Sequence, residues 1–255
     1  MIIKFQRIIC PSPILKIVNL FMHRDLGISV VIPCFNEEEN IFSLWDELYP
    51  VLESLNISWE VIFVDDCSSD ATAQKIRDIN REEIILLSHK VNQGESAAQL
   101  TGFKSTRGEL VVTMDADLQN DPADLPFLIE SLEGYGAVCG IRPSRADSLS
   151  KKISTKIANL FRNTILRDGI KDAGCTYRVF RKEVLVDIVP FRGMHRFLPT
   201  ILQFHGIQVN QVLIKDRPRK SGVSKYGMGN RIFVGFVDTL AIYWYKKRFI
   251  SPFKK

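Results

Sequence analysis

From Ile28 onward the chain alternates between two kinds of segment. Ile28–Ile32, Val61–Val64, Ile84–Leu87 and Leu110–Met114 are short apolar runs rich in β-branched residues, the pattern of strands buried on both faces. Between them lie longer segments that mix polar and apolar positions, Glu37–Leu55, Ala71–Asn80 and Glu95–Thr106, and these predict helices. Asn36 ahead of Glu37, and Ser69 or Asp70 ahead of Ala71, are suited to cap the first two. Such alternation predicts βαβ units and an α/β domain with a mainly parallel sheet. Sheets of this kind bind ligands at the carboxyl ends of their strands.

Further along, residues 151–166 place Ile153, Ile157, Leu160 and Phe161 on one helical face, with Lys151, Lys152, Lys156 and Arg162 elsewhere. Near the carboxyl end Phe233, Phe236, Val237, Leu240, Ala241 and Trp244 form another stripe. Between the two, the Pro, Gly and Ser content of Asp216–Gly227 predicts a loop. The longest uncharged-looking stretch, Ile232–Tyr245, is 14 residues long and contains Asp238, short of the roughly 18 apolar residues of a membrane span. A peripheral protein is the expectation, with no spanning helix.

Charge divides the chain into three. Lys215 to the end carries 11 Lys and Arg against two acids, and the first 26 residues carry four basic residues against one acid, which leaves a body of net −7 beneath an overall +5. Basic ends on an acidic body suit an anionic partner, either lipid headgroups or nucleic acid. The amino-terminal stretch is apolar and basic but broken by Pro11, Pro13 and Lys16, without a small-residue cleavage site. It fits a membrane-surface segment, or a stretch ahead of a start at Met22, rather than a signal peptide. Five scattered cysteines, Cys10, Cys34, Cys67, Cys139 and Cys175, show no CxxC spacing. That argues for packing residues in a reducing compartment.

The chemistry concentrates where strands end. Pro33-Cys34-Phe35-Asn36-Glu37 follows the first, Asp65-Asp66 the second, Asn92-Gln93-Gly94 the third and Asp115-Ala116-Asp117-Leu118-Gln119 the fourth. Set side by side, these ends would crowd at least four carboxylates around one crevice, which is costly unless a cation or hydrogen-bond donors compensate. Asp115 and Asp117 straddle one small residue, an arrangement suited to Mg²⁺ or Mn²⁺ with a diphosphate completing the shell. Asp65 and Asp66 have no evident capping duty and suit hydrogen bonds from a base or ribose. His195 beside Arg196 reads as a structural histidine.

VIPCFNEEENI, VIFVDDCSSDAT, NQGESAAQLTG and TMDADLQNDP, in this order, resemble the GT-A nucleotide-sugar domain of family-2 inverting glycosyltransferases. GIRPSR, DAGCTYRVFRKEVL and HRFLPTIL…DRPRKSGVSKYG resemble the dolichyl- and polyprenyl-phosphate sugar transferases. The resemblance runs from about Ile28 to about Lys247. It implies that Pro33, Phe35 and Glu37, with Asp66, hold the nucleoside, next to which Asp65 stays a candidate from its place at the strand end, and that Asp115, Asp117 and Gln119 surround the metal. It implies further that Arg142, Lys151 and Lys156 face the acceptor phosphate, and that Arg217, Arg219, Ser224 and Lys225 close over the diphosphate. Asp172 in KDAGC is the candidate base for a hydroxyl acceptor, or else positions the acceptor or a neighbouring arginine.

The expected organisation is therefore an extension over 1–26, a GT-A catalytic domain over 27–214, and a basic loop with an amphipathic membrane-surface segment over 215–255. The expected reaction moves a hexose, with inversion, from GDP-mannose or a UDP-hexose to a polyprenyl phosphate at the cytoplasmic face of a membrane. A hydroxyl acceptor and a catalytically silent membrane scaffold are the alternatives, and the intact Asp115, Asp117 and Gln119 argue against silence. Nucleic acid is not an expected partner, since no recognition module is present.

Overall fold

The computed structural model describes residues 27–143, 160–215, 217 and 228–249. Its strands are β1 (Ile28–Cys34), β2 (Trp59–Asp65), β3 (Ile84–Ser88), β4 (Leu110–Thr113), β5 (Ala137–Ile141), β6 (Arg178–Arg181) and β7 (Val209–Leu213). Its helices are α1 (Ile41–Ser54), α2 (Thr72–Asp78), α3 (Glu95–Ser105), α4 (Leu125–Glu130), α5 (160–166), α6 (Met194–Phe204) and α7 (Met228–Arg248). One sheet holds all seven strands in the order β3-β2-β1-β4-β6-β5-β7.

The four strands legible from their apolar runs lie side by side and parallel. β6 alone runs against its neighbours β4 and β5, while β7 pairs parallel to β5 at the edge. The chain steps outward from β1 to β2 to β3 and then returns to place β4 on the other flank of β1. That reversal leaves a crevice at the carboxyl ends of β1 and β4, where doubly wound sheets bind ligands. β1 runs two residues past the expected Ile32, through Pro33. Its ladder with β4 ends at Val31↔Thr113, while that with β2 continues to Cys34↔Asp65. Pro33 thus lies where the strand is paired on one side only, the setting that tolerates a missing N–H.

The period-2 alternation of the strands divides the core in two. Val30, Ile32, Val61 and Phe63 face α1 and α4 through Leu44, Leu48, Leu52 and Leu128. Val31, Ile62, Val64 and Val111 face the opposite layer, with Ala98 of α3, Leu198 and Ile201 of α6 and Ile242 of α7. α3 lies close on the sheet because Gly102 has no side chain: a Cβ there would sit 2.2 Å from Val31 Cγ1. Cys34, Cys139 and Cys175 are buried and form no disulfide, and burial pushes the thiols of Cys139 and Cys175 up to about 12 and about 11.

Two local expectations are corrected. Asn36 does not cap α1, which begins at Ile41. Asn36 instead has φ 53°, and its side-chain oxygen accepts from the Ser69 N–H at 2.8 Å. Arg162, expected on the charged face of its helix, is buried against Asp168 at 3.0 Å, whereas Leu160 is 69% exposed. The two faces of α7 differ. Asp238, Thr239, Ile242 and Tyr245 turn inward, with Asp238 bonded to Arg196 at 2.8 Å and Tyr245 to His205 at 2.8 Å. Val237, Leu240 and Trp244 are exposed.

Candidate active site

Four loops converge at the carboxyl ends of β1, β2, β3 and β4. The first two are lashed together: the Asn36 N–H donates to Ser68 Oγ (2.9 Å), the Glu37 N–H to Thr72 Oγ1 (2.8 Å), and the Ala71 N–H to the Glu38 carboxylate (2.9 Å). Pro33, Phe35 and Glu37 thereby form one wall of the crevice, half-buried, and the Glu37 carboxylate also accepts from Asn40 Nδ2 at 2.6 Å.

Asp65 and Asp66 are both buried, and neither lacks a local duty. Asp65 Oδ1 accepts from the Ser68 N–H at 3.1 Å. Asp66 Oδ1 takes His89 Nδ1 at 2.7 Å and the Gln93 N–H at 2.9 Å, and its Oδ2 takes the Gly94 N–H at 2.7 Å. Gly94, at φ 89°, directly precedes α3, so Asp66 places negative charge where that helix presents free N–H groups. This capping across the sheet, from β2 to α3, is invisible in sequence because donor and acceptor are 27 and 28 residues apart.

The DADLQ segment turns sharply after β4. Leu118 holds φ 62°, a conformation that costs a branched residue about 1–2 kcal/mol and marks a turn fixed by its surroundings. Asn120 Oδ1 accepts the Asp115 N–H (3.0 Å), and Asp117 Oδ1 accepts the Gln119 N–H (3.1 Å). Burial first, and repulsion by Asp117 second, push the Asp115 carboxyl up to about 6, against the opposing pull of Thr176, Arg142 and Arg178. Loss of water, more than any neighbouring charge, destabilises its ionised form, and the nearby arginines only partly offset that.

Across the crevice Arg142, just past β5, is gripped by Asp172: Nε to Oδ2 at 2.8 Å and Nη2 to Oδ1 at 3.0 Å. Burial opposes the charge on Arg142, but this two-pronged pairing outweighs it and raises the arginine's pKa. Arg217 bonds Glu47 of α1 and Asp121 (2.7 Å), its N–H reaching the Gln119 carbonyl at 3.2 Å. Arg217 therefore lies beside the DADLQ turn. Lys151, Lys156, Arg219, Ser224 and Lys225 lie outside the described residues.

Arg178, Glu95 and Ser96 carry no role expected from the sequence. Arg178 is fully buried on β6 and donates to the carbonyls of Ala173 and His195. Ser96 Oγ meets His195 Nδ1 at 2.8 Å, and His195 Nε2 lies 3.4 Å from the Glu95 carboxylate, joining α3 to α6. A basic residue inside the apolar run Tyr177–Phe180 was the one available signal for Arg178.

A paired-carboxylate turn at the switch point of this sheet defines a GT-A-like transferase fold. Solved structures share it: glucosyl-3-phosphoglycerate synthase from Mycobacterium tuberculosis, in complex with Mn²⁺, UDP-glucose and phosphoglyceric acid, superposes with TM-score 0.69 at 19% identity over 89% of this chain and 84% of that one. The same enzyme with Mg²⁺ and UDP gives 0.67 at 20% identity, over 89% and 83%. Residues 29–189 match the family model for glycosyl transferase family 2, and the chain belongs to that family. It is 32% identical over 237 residues to a dodecaprenyl-phosphate galacturonate synthase of Rhizobium johnstonii, covering 90% of this chain and 70% of the relative. It is also 32% identical over 203 residues to an undecaprenyl-phosphate 4-deoxy-4-formamido-L-arabinose transferase of Salmonella choleraesuis, covering 78% of this chain and 62% of the relative. No described helix is long and apolar enough to cross a membrane.

Proposed function

We propose that the chain transfers a sugar, with inversion, from a nucleoside-diphosphate sugar to a polyprenyl phosphate at the cytoplasmic face of a membrane. The names of the relatives support this acceptor class. Those names include both a hexuronic acid and a pentose derivative, so GDP-mannose and UDP-hexoses are donors to be tested beside UDP-linked pentoses.

The observation that carries the reading is the Arg142–Asp172 pair, whose guanidinium acts on the Asp115 carboxyl. A hydroxyl acceptor needs a base to take its proton, but both oxygens of Asp172 are engaged by one guanidinium. A phosphate acceptor is already anionic at neutral pH and needs no base. Its oxygen attacks the anomeric carbon from the face opposite the diphosphate, and the bonding pair of the broken C–O bond leaves with the nucleotide. Arg142, held rigid by Asp172, suits the task of binding that phosphate. Lys151 and Lys156 are assigned beside it on the resemblance alone, as are Arg219, Ser224 and Lys225 over the diphosphate.

Asp115 and Asp117 suit a hard divalent cation, Mg²⁺ or Mn²⁺, with Gln119 beside them. All are oxygen donors, and Asp115 and Asp117 lie close enough to repel each other, a repulsion that a cation between them would relieve. Among the described residues no cluster of three or more His, Cys, Asp and Glu side chains surrounds such a site, so the diphosphate would complete the shell. When bound, the ion neutralises the departing diphosphate. Pro33, Phe35, Glu37 and Asp65 suit the nucleoside. Asp66 acts there through the β3–α3 loop that it holds.

The exposed Val237, Leu240 and Trp244 of α7, followed by Lys247 and Arg248, suit an anionic headgroup layer, with apolar side chains entering and basic residues adding roughly 1 kcal/mol each. Acceptor competition tests the reading. Purified protein, Mn²⁺ and a panel of UDP- and GDP-sugars are offered an equimolar polyprenyl phosphate and polyprenol. Label appearing only in the phosphate-linked lipid is expected, and label in the alcohol product counts against it.

A further inference from the structure

Arg178 is a deeply buried charged residue, at 1% exposure. Its guanidinium donates to two carbonyl oxygens, Ala173 O at 3.0 Å and His195 O, while Nε has no hydrogen-bond partner. No carboxylate stands within ion-pairing distance of it among the described residues. An unpaired buried cation is costly, and two carbonyls that a neutral donor could serve equally well do not account for it.

Its position does. Arg178 pairs in register with Thr113, two residues before Asp115. Thr176, two residues earlier on the same strand path, lies beside the Asp115 carboxyl. Side chains two apart on an extended chain share a face, so Arg178 occupies the layer next below Asp115. Its charge is among those that act on Asp115.

We propose that Arg178 is an electrostatic positioning residue: a fixed, desolvated cation that offsets the negative charge of Asp115, Asp117 and the diphosphate gathered above them. This rests on the glycosyl-transfer reading and adds a residue to it. Because the charge is immobile and shielded from water, it acts at full strength as the diphosphate gains charge on departure. The two carbonyl bonds fix it there and tie the turn carrying Asp172 to the start of α6. A bound divalent ion would feel the same charge as repulsion, which gives the proposal an unusual signature. Removing the charge should tighten metal binding while slowing turnover, whereas a merely structural arginine, once lost, would weaken both.

The test is Mn²⁺ titration of the full chain, read by the free-ion electron paramagnetic resonance signal without nucleotide, together with kcat at saturating donor. Arg178→Gln should bind Mn²⁺ about three- to tenfold more tightly and turn over at least about tenfold more slowly. Arg178→Lys, which keeps the charge, should bind Mn²⁺ within about twofold of wild type. Weaker or unchanged Mn²⁺ binding in a folded Arg178→Gln protein would overturn the proposal, as would Arg178→Lys behaving like Arg178→Gln. Should the glutamine variant not fold, the lysine variant decides alone: near-native Mn²⁺ affinity and turnover support the charge, and loss of both overturns it. Wild-type protein that binds neither Mn²⁺ nor a nucleoside diphosphate would overturn this proposal and the glycosyl-transfer reading together. A defect confined to the Arg178 comparison overturns the proposal alone.

Discussion

Replacing Asp66 by alanine should cost the fold and the donor site together. The carboxylate accepts three hydrogen bonds, from His89 Nδ1, the Gln93 N–H and the Gly94 N–H, at 2.7–2.9 Å. Bonds to a charged acceptor contribute about 1.5–3 kcal/mol each, and orphaned buried donors add a penalty that water entering the gap partly relieves. At the low end of that range the loss is about 4.5 kcal/mol, equivalent to at least about 10 °C in melting midpoint for a chain of this size. Calorimetry of wild type and Asp66→Ala measures it directly. Because the β3–α3 loop loosens while the bond being broken is remote, the donor KM should rise more than kcat falls. Asp66→Asn should fall between, since its amide nitrogen meets one N–H donor to donor. A melting midpoint within about 2 °C of wild type would show that the three bonds contribute little and refute this reasoning.

Glu60 yields a pH prediction. Burial alone would raise its carboxyl, but hydrogen bonds from Ser29 and from the backbone and side chain of Arg107 outweigh it and hold the pKa below the ordinary 4.5. A depressed carboxyl stabilises the fold above its unfolded pKa and loses that contribution as pH falls through the folded value. Denaturant midpoints should therefore fall more steeply with acidification in wild type than in Glu60→Gln, and parallel acid limbs would contradict this. Asp115 works in the opposite sense. With its carboxyl raised to about 6, protons should compete with Mn²⁺ as pH falls below that value, weakening binding by up to about tenfold per pH unit; affinity constant between pH 7 and 5 would count against Asp115 as a ligand. On α7, Leu240→Glu with Trp244→Glu, at positions 54% and 64% exposed, should reduce sedimentation with anionic liposomes while leaving the melting midpoint unchanged. Undiminished liposome binding would remove that face from the membrane contact.

The parallel half of the fold was legible because its strands are buried on both faces and so read as unbroken apolar runs. β5, β6 and β7 escaped for specific reasons. Ala137–Ile141 contains Gly140, Arg178–Arg181 begins and ends on arginine, and Val209–Leu213 is an edge strand with Asn210 and Gln211 inside it. The candidate site was legible at Asp115 and Asp117, where two carboxylates share a short turn. It was less so wherever a residue's role depends on a partner far along the chain. The Arg142–Asp172 clasp spans 30 residues, and the Ser96–His195 contact spans 99. Asp238 looked like a flaw in an apolar stripe until its bond to Arg196 placed it on the inner face of α7.

One measurement reaches the central claim most directly: transfer from an anomerically defined nucleotide sugar to polyprenyl phosphate, with the linkage of the product read by NMR. Wild-type protein with Mn²⁺ should give a lipid-linked sugar phosphate of inverted anomeric configuration. Chelation should abolish the reaction, and Asp117→Ala, which removes one of the paired carboxylates, should slow it about a hundredfold or more. A product of retained configuration, or transfer that persists at the wild-type rate in Asp117→Ala or after chelation, would contradict it.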